Sequence, residues 1–356
     1  MKSLHMIGST HMGGAERWFT RFLAAMLRQG EEIEAVVRRG SELAQHHLDG
    51  IPHHELPFRT VWDPFSRHAV SQLIARSDAP IVQTYMGRAT RLTHLKRGRG
   101  KVHVSRLGGY YKLAPFRHAH AWIGNTKGLC DWMIQGGLPA ERVFHITNFA
   151  DPARAVAADE LHALRQRIGV QPEDWIMVTA GRLIDVKGHR YLVDALSRLP
   201  AEIDGQRLRL VVLGDGDLAA PLAEQARQAG VADRILWAGW QHDPAPWFHV
   251  ADMVVFPSRD AETLGNVILE AWAYGKPLVA SAFRGAREIT RPGEDAWVVP
   301  CDDGAALAAG IEHVIRNPGL QRQMVANGLA RIERDFSEAA VIAQYRALYA
   351  HLLDNR

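Results

Sequence analysis

Two hydrophobic patterns alternate along the chain. Short runs such as Trp175-Ile-Met-Val-Thr-Ala, Arg209-Leu-Val-Val-Leu, Ile235-Leu-Trp-Ala, Met253-Val-Val-Phe and Pro277-Leu-Val-Ala are apolar at successive positions, as strands buried on both faces are. Between them lie longer stretches with apolar residues at helical spacing, for example Ala15 to Gln29 with Trp18, Phe22, Leu23, Met26 and Leu27. This alternation predicts an α/β chain of parallel sheets covered by helices. In the first half strands are predicted at Ser3 to Gly8, Ile33 to Val37, Ile81 to Gln83, Val102 to Ser105 and Trp122 to Gly124, and the chain closes with a helix over Ser337 to Leu353. A polar, charged stretch from Asp151 to Gln171 separates the two series, predicting two doubly wound domains, 1–152 and 153–336.

Length and composition agree with that division: 356 residues, 47% of them hydrophobic, suffice for two cores. No apolar run approaches the roughly 18 residues of a membrane span. The start, Met1-Lys-Ser-Leu-His-Met-Ile-Gly, lacks the apolar stretch and cleavage site of a secretory signal, so the cytosol is the expected compartment. Cys130 and Cys301 are too few for a disulfide framework or a zinc cluster.

Charge changes the picture more. The net charge is only +3, but residues 1–150 hold 20 Lys+Arg against 11 Asp+Glu, and the remainder 22 against 28. A basic first half favours an anionic partner, either a membrane surface or a phosphorylated acceptor; a merely solvated surface is the alternative. Arg88, Arg91, Lys96, Arg97, Arg99, Lys101 and Arg106 form its densest run. No interleaving of aromatic and basic residues accompanies them, which argues against nucleic acid.

Two motifs carry the candidate chemistry. In Gly181-Arg-Leu-Ile-Asp-Val-Lys-Gly, after a predicted strand and before a helix from about His189 to Leu199, Arg182 and Lys187 can converge on a diphosphate near a helix start. Surface charge is the plainer reading of those two residues. The order required of a P-loop is absent, and His11-Met-Gly-Gly-Ala-Glu does not supply a dinucleotide fingerprint, so NTP hydrolysis and NAD chemistry lack support. In the second motif Glu262 and Glu270 flank Thr263, Leu264 and Gly265 at the start of a helix, a spacing that suits hydroxyls of a sugar at one end of a ligand, a ribose at the other and a phosphate between. A capping and a solvent-facing glutamate are the alternative. Glu270, however, sits in the apolar context Val267-Ile-Leu-Glu-Ala-Trp, where an unpaired carboxylate is costly.

Gly181-Arg-Leu with Lys187-Gly188, then Glu-x7-Glu, then Gly275-Lys-Pro-Leu-Val-Ala resembles the retaining glycosyltransferases of family 4, and the Gly13-Gly14 loop before a helix resembles that family's first phosphate-side loop. The resemblance implies a GT-B fold: Rossmann-like domains facing across a cleft, the donor held mainly by the second and the acceptor by the first, with the final segment 337–356 returning to the first. It implies retaining transfer of a sugar from a nucleotide sugar, a UDP-sugar before GDP-mannose, to a lipid-linked or lipopolysaccharide-core glycan, with no cofactor. Arg182 and Lys187 would neutralise the leaving diphosphate, Glu262 would orient the hexose, Glu270 the ribose, and Gly13 and Gly14 would let backbone amides approach the phosphates. Trp240 and Gln241 would lie near the base. Gly214-Asp-Gly-Asp217 is read as a turn, so no metal is expected. Where many relatives carry a loop His, this chain reads Val104-Ser-Arg-Leu-Gly-Gly-Tyr-Tyr, leaving Arg106 as a substitute and His11 as a further contact. A nucleotide-sugar epimerase or hydrolase, and a non-catalytic donor-binding subunit, are the competing readings.

Overall fold

The structure, a computed structural model, describes residues 1–355; position 356, the last of the segment assigned above to the first domain, lies outside the described residues. The chain forms two compact units, Met1–Asn148 with the segment from Glu338 onward, and Phe149–Ser337. The first boundary falls earlier than residue 152. Phe149 is already buried, Ala150 belongs to a core cluster of the second unit, and the Ala150 N–H donates to the Phe336 carbonyl at 2.9 Å.

The first unit is built on β1 (Lys2–Ile7), β2 (Glu32–Arg38), β3 (His53–Leu56), β4 (Ile81–Tyr85), β5 (Val102–Leu107), β6 (Ala121–Gly124) and β7 (Val143–His145). They form one parallel sheet in the order β3-β2-β1-β4-β5-β6-β7. Side chains alternate across it: Leu4 and Met6 enter one core with Val36, Val70, Ile74 and Val82, while His5 on the other face meets Phe22 of helix Gly14–Arg28. Helix Glu338–Asp354 shares that second face. Its buried residues Val341, Ile342, Tyr345, Leu348, Tyr349 and Leu352 make a single helical stripe, each contributing about 1.5–3 kcal/mol of transfer free energy before ordering entropy.

The second unit holds β8 (Trp175–Ala180), β9 (Glu202–Ile203), β10 (Gln206–Leu213), β11 (Ile235–Gly239), β12 (Met253–Phe256), β13 (Leu278–Ser281) and β14 (Trp297–Val299). The sheet order is β11-β10-β8-β12-β13-β14, all parallel, with the short β9 antiparallel to β10. Met177 faces a core with Leu192, Leu196 and Ile311, and its neighbours Ile176 and Val178 face the opposite layer with Val211 and Trp247. Both faces are covered, which is why these strands read as continuous apolar runs. Strands β3, β7, β9 and β14 are additional to those predicted. Among the described residues no helix is long and apolar enough to cross a membrane, and both cysteines are free thiols.

Candidate functional site

Strand order locates the ligand-accessible crevices. In an open parallel sheet the connections reverse direction at one point, and there adjacent loops at the strands' carboxyl ends part to leave a crevice. In the second unit that point lies between β8 and β12, in the first between β1 and β4. The loops at these two points carry most of the motif residues.

In the second unit the loop after β8 is woven into its neighbours. Gly181 N–H donates to Leu213 O, Leu183 N–H to Asp215 O, and Arg259 N–H to Val186 O, each at 2.9 Å. Gly188 permits the closest approach. It is left-handed at φ +66°, and a Cβ there would lie 2.0 Å from the Pro257 carbonyl oxygen, so only glycine lets the start of helix His189–Arg198 abut the end of β12. The result brings Lys187 to Glu262 across 75 positions of sequence: Lys187 Nζ donates to Glu262 Oε2 at 2.7 Å, the side chains being only 19% and 15% exposed. Ser258 Oγ also donates to Glu262 Oε2, at 3.4 Å, and the ammonium lies 5.2 Å from the centre of the Phe256 ring. Neither contact is written in the local pattern, so Ser258 was not singled out by sequence. Salt bridges from Arg259, in the loop after β12, reach Asp185 in the loop after β8 and Asp302 in the loop after β14, while Arg284 and Arg287 of helix Arg284–Ile289 pair with Asp260.

Glu262 stands in the loop, not in the helix. Thr263 and the buried Leu264 follow it, and Gly265, left-handed at φ +76°, caps helix Asn266–Ala273, in which Glu270 is half-buried and engaged by its surroundings. Arg182 is exposed beside Gly181. His189, at the first helical position after Gly188, is buried with Nδ1 lacking a hydrogen-bond partner among the described residues; removal from water holds its pKa down to about 4, with Lys187 adding to the effect. In the Gly214–Asp217 turn, Asp215 Oδ1 accepts the Gly216 N–H at 2.7 Å. Trp240 is half-exposed and Gln241 is held by Ala238 O and Trp247 Nε1, both beyond the edge strand β11.

In the first unit, residues 8–13 form the loop after β1. His11 is exposed, the Met12 N–H donates to Glu42 Oε2 at 3.0 Å, and Gly13 is the extended cap of helix Gly14–Arg28 with Gly14 exposed beside it. Glu16, unremarked in the sequence, is buried in the first turn against Gly13. Arg88 binds this loop to its neighbour, donating to Gly8 O at 2.9 Å and Phe58 O at 3.3 Å. Phe58 and Met86, at the exits of β3 and β4, have positive φ of 40° and 61°, which a non-glycine residue adopts only under constraint from its surroundings.

Arg106 is corrected by the structure. It lies inside β5, not on a loop, and is 5% exposed; Nε donates to Tyr345 Oη at 3.1 Å, Nη2 to Asn148 Oδ1 at 2.5 Å, and the guanidinium sits 4.5 Å over the Trp18 ring. Its cation is committed to joining the last helix to the sheet. The basic run of the sequence is likewise no single surface. Arg88 and Arg91 lie on helix Met86–Leu92 at the carboxyl end of β4, whereas Arg97 and Lys101 line a cavity with His120 and Arg142 where β5 begins, and Lys101 Nζ is spent on the Ser77 and Ala79 carbonyls.

Paired doubly wound sheets of this kind, with their switch-point loops so furnished, define the GT-B class. Residues 162–331 match the family described as glycosyl transferases group 1. The lipopolysaccharide core biosynthesis glycosyltransferase LpsE of Rhizobium meliloti (strain 1021) is 30% identical over 341 residues, spanning 95% of this chain and 96% of the relative, and LpsD of the same organism is 29% identical over 98% of each. Among solved structures, Anabaena HepE in complex with UDP-glucose superposes with a TM-score of 0.84 at 22% identity, over 99% of this chain and 100% of that one. A glycosyltransferase from Rickettsia africae ESF-5 gives a TM-score of 0.84 at 19% identity, over 100% and 99%. The chain belongs to the group 1 glycosyl transferases.

Proposed function

We propose that the protein is a retaining enzyme of family 4 that moves a hexose from a UDP-sugar to a lipid-linked or lipopolysaccharide-core glycan, without a metal. The observation that carries this reading is the Lys187–Glu262 pair, 2.7 Å apart at the switch point of the second unit, where a cation and a carboxylate stand ready for different parts of one ligand. Lys187 and Arg182 take the diphosphate, Glu262 the hydroxyls of the sugar, Glu270 the ribose, and the amides around Thr263, Leu264 and Gly265 a phosphate oxygen. Whole-length likeness to LpsE and LpsD supports the acceptor class, and the UDP-glucose complex of HepE supports the donor class.

The bond from the anomeric carbon to the diphosphate breaks as the acceptor oxygen bonds to the same face of that carbon. The acceptor proton passes to the departing phosphate oxygen. Arg182 and Lys187 stabilise the charge that grows there, the work a divalent ion would otherwise perform.

Thermal-shift titration over UDP, GDP, ADP and dTDP sugars identifies the donor, since a ligand bound to the folded state raises Tm. Glu270→Ala is expected to weaken nucleotide binding, and Glu262→Ala to reduce turnover at saturating donor, with the product anomer read by NMR. Equal and negligible effects of the two substitutions would overturn the assignment. Donor consumption that ignores the acceptor would turn it into hydrolysis or epimerisation.

A further inference from the structure

Two aromatic side chains of the first unit stand out in water. Trp62 is 74% exposed and Phe65 73%, the highest values among the large hydrophobic residues described. They are not on a floppy tip. Asp63 caps helix Pro64–Arg76 by accepting the N–H groups of Phe65 and Ser66 at 3.2 Å each and the Ser66 hydroxyl at 2.5 Å, while Ser66 Oγ accepts the Arg59 N–H at 3.2 Å. Phe58, fully buried, pins the loop from inside. The interior of the segment is thus fixed while its two rings face outward.

What surrounds them is cationic. Arg59 and Arg67 are exposed in the same segment, and Arg91 from the neighbouring helix lies 3.6 Å over the Trp62 ring. Between Pro57 and Arg76 the sole carboxylate is Asp63, which is occupied by the cap. Two rings offer too little area for a stable protein interface, which needs on the order of 1,000 Å² or more. Aromatic rings flanked by arginines are instead the composition that holds a protein at a bilayer's headgroup boundary, the rings entering it and the cations meeting anionic lipid.

We propose that the loop from Arg59 to Phe65 docks the enzyme on an anionic bilayer through Trp62 and Phe65, with Arg59, Arg67 and Arg91 in the headgroup layer. Arg88 ties this loop to the one after β1, so docking presents the switch-point end of the first unit to the membrane surface. The purpose of docking, access to a lipid-borne acceptor, rests on the proposed function; the docking itself does not.

Flotation of the full chain with vesicles of phosphatidylcholine, with and without phosphatidylglycerol, tests it. The wild type is expected to float with the anionic vesicles, Trp62→Ala/Phe65→Ala to lose roughly tenfold or more of that binding, and Arg59→Gln/Arg67→Gln to lose the preference for anionic lipid. Unchanged melting and UDP-sugar shifts show that the variants are folded. A wild type that does not float, or variants that float equally well, overturn the proposal. So does an aromatic double variant that loses transfer to a delipidated, water-soluble acceptor as severely as to a vesicle-borne one, since the rings would then be reading sugar. Self-association of the wild type abolished in the variant makes the patch a protein interface and also overturns it. A chain that docks yet transfers sugar from no donor refutes the proposed function and leaves docking standing.

Discussion

Lys187 and Glu262 illustrate what a single residue can and cannot announce. Each sits in a short, glycine-flanked motif, and that makes it visible. Their mutual contact is not visible, because it depends on Gly188 packing against Pro257, and neither is the hydroxyl of Ser258 that steadies the carboxylate. Because the pair is largely screened from water, removing one partner leaves the other poorly solvated. A double-mutant cycle of Lys187→Met and Glu262→Gln is expected to show a coupling of about 1–3 kcal/mol in chemical denaturation without donor. Additive effects would show the two groups to be independent. Arg106 teaches the opposite lesson: the family resemblance makes it a substitute for the loop histidine of relatives, and the fold spends it on Tyr345 and Asn148. Arg106→Gln is therefore expected to destabilise the first unit by about 1–3 kcal/mol while leaving the UDP-sugar affinity of the second unchanged.

At the scale of elements, the buried strands were legible because both their faces are apolar. Those that escaped, β3, β7 and β14, are all sheet edges, and β9 is a two-residue addition beside β10. The edge sequence His53-His-Glu-Leu is polar, as suits a strand that must not recruit another, and it therefore resembles a loop. Charge runs mislead for a related reason. Helix Met86–Leu92 carries the chain back along the sheet, so neighbours in the basic run end at opposite ends of parallel strands. The loop-to-strand junction at Gly188 yields the clearest prediction. Gly188→Ala adds a methyl group in a left-handed conformation and in collision with Pro257 O; it is expected to lower stability by more than about 1 kcal/mol and to weaken donor binding by separating Lys187 from Glu262, both measured by calorimetry with and without UDP.

For the whole molecule, buried histidines set the first response as pH falls below neutrality, ahead of the carboxylates whose pKa values the fold lowers, Glu31, Glu34 and Asp335 among them. Burial holds His5 down to about 3 and His103 well below its ordinary value, and lowers His120, all in the first unit; His189, at about 4, is the counterpart in the second. Unfolded, each titrates near about pH 6.5. Below that pH the unfolded chain takes up protons that the folded chain refuses, so stability falls as pH drops from about 6.5 toward the folded values and is unaffected above neutrality. The first unit is expected to lose more stability than the second over this window. Calorimetry at descending pH, with UDP marking the second unit's transition, should show the unmarked transition moving down faster; parallel movement would refute it.

The return of helix Glu338–Asp354 to the first unit has a consequence for biosynthesis. Residues 149–337 are contiguous, so that unit has its whole sequence available while the chain is still being elongated. The amino-terminal part emerges earlier but waits, with Arg106 lacking Tyr345, Gln83 Oε1 lacking the Tyr349 hydroxyl, and Phe22 uncovered where Tyr345 will pack. Domains generally fold in order of emergence. Here the half translated first should mature last, and it is the half whose uncovered apolar face nascent-chain chaperones would need to shield.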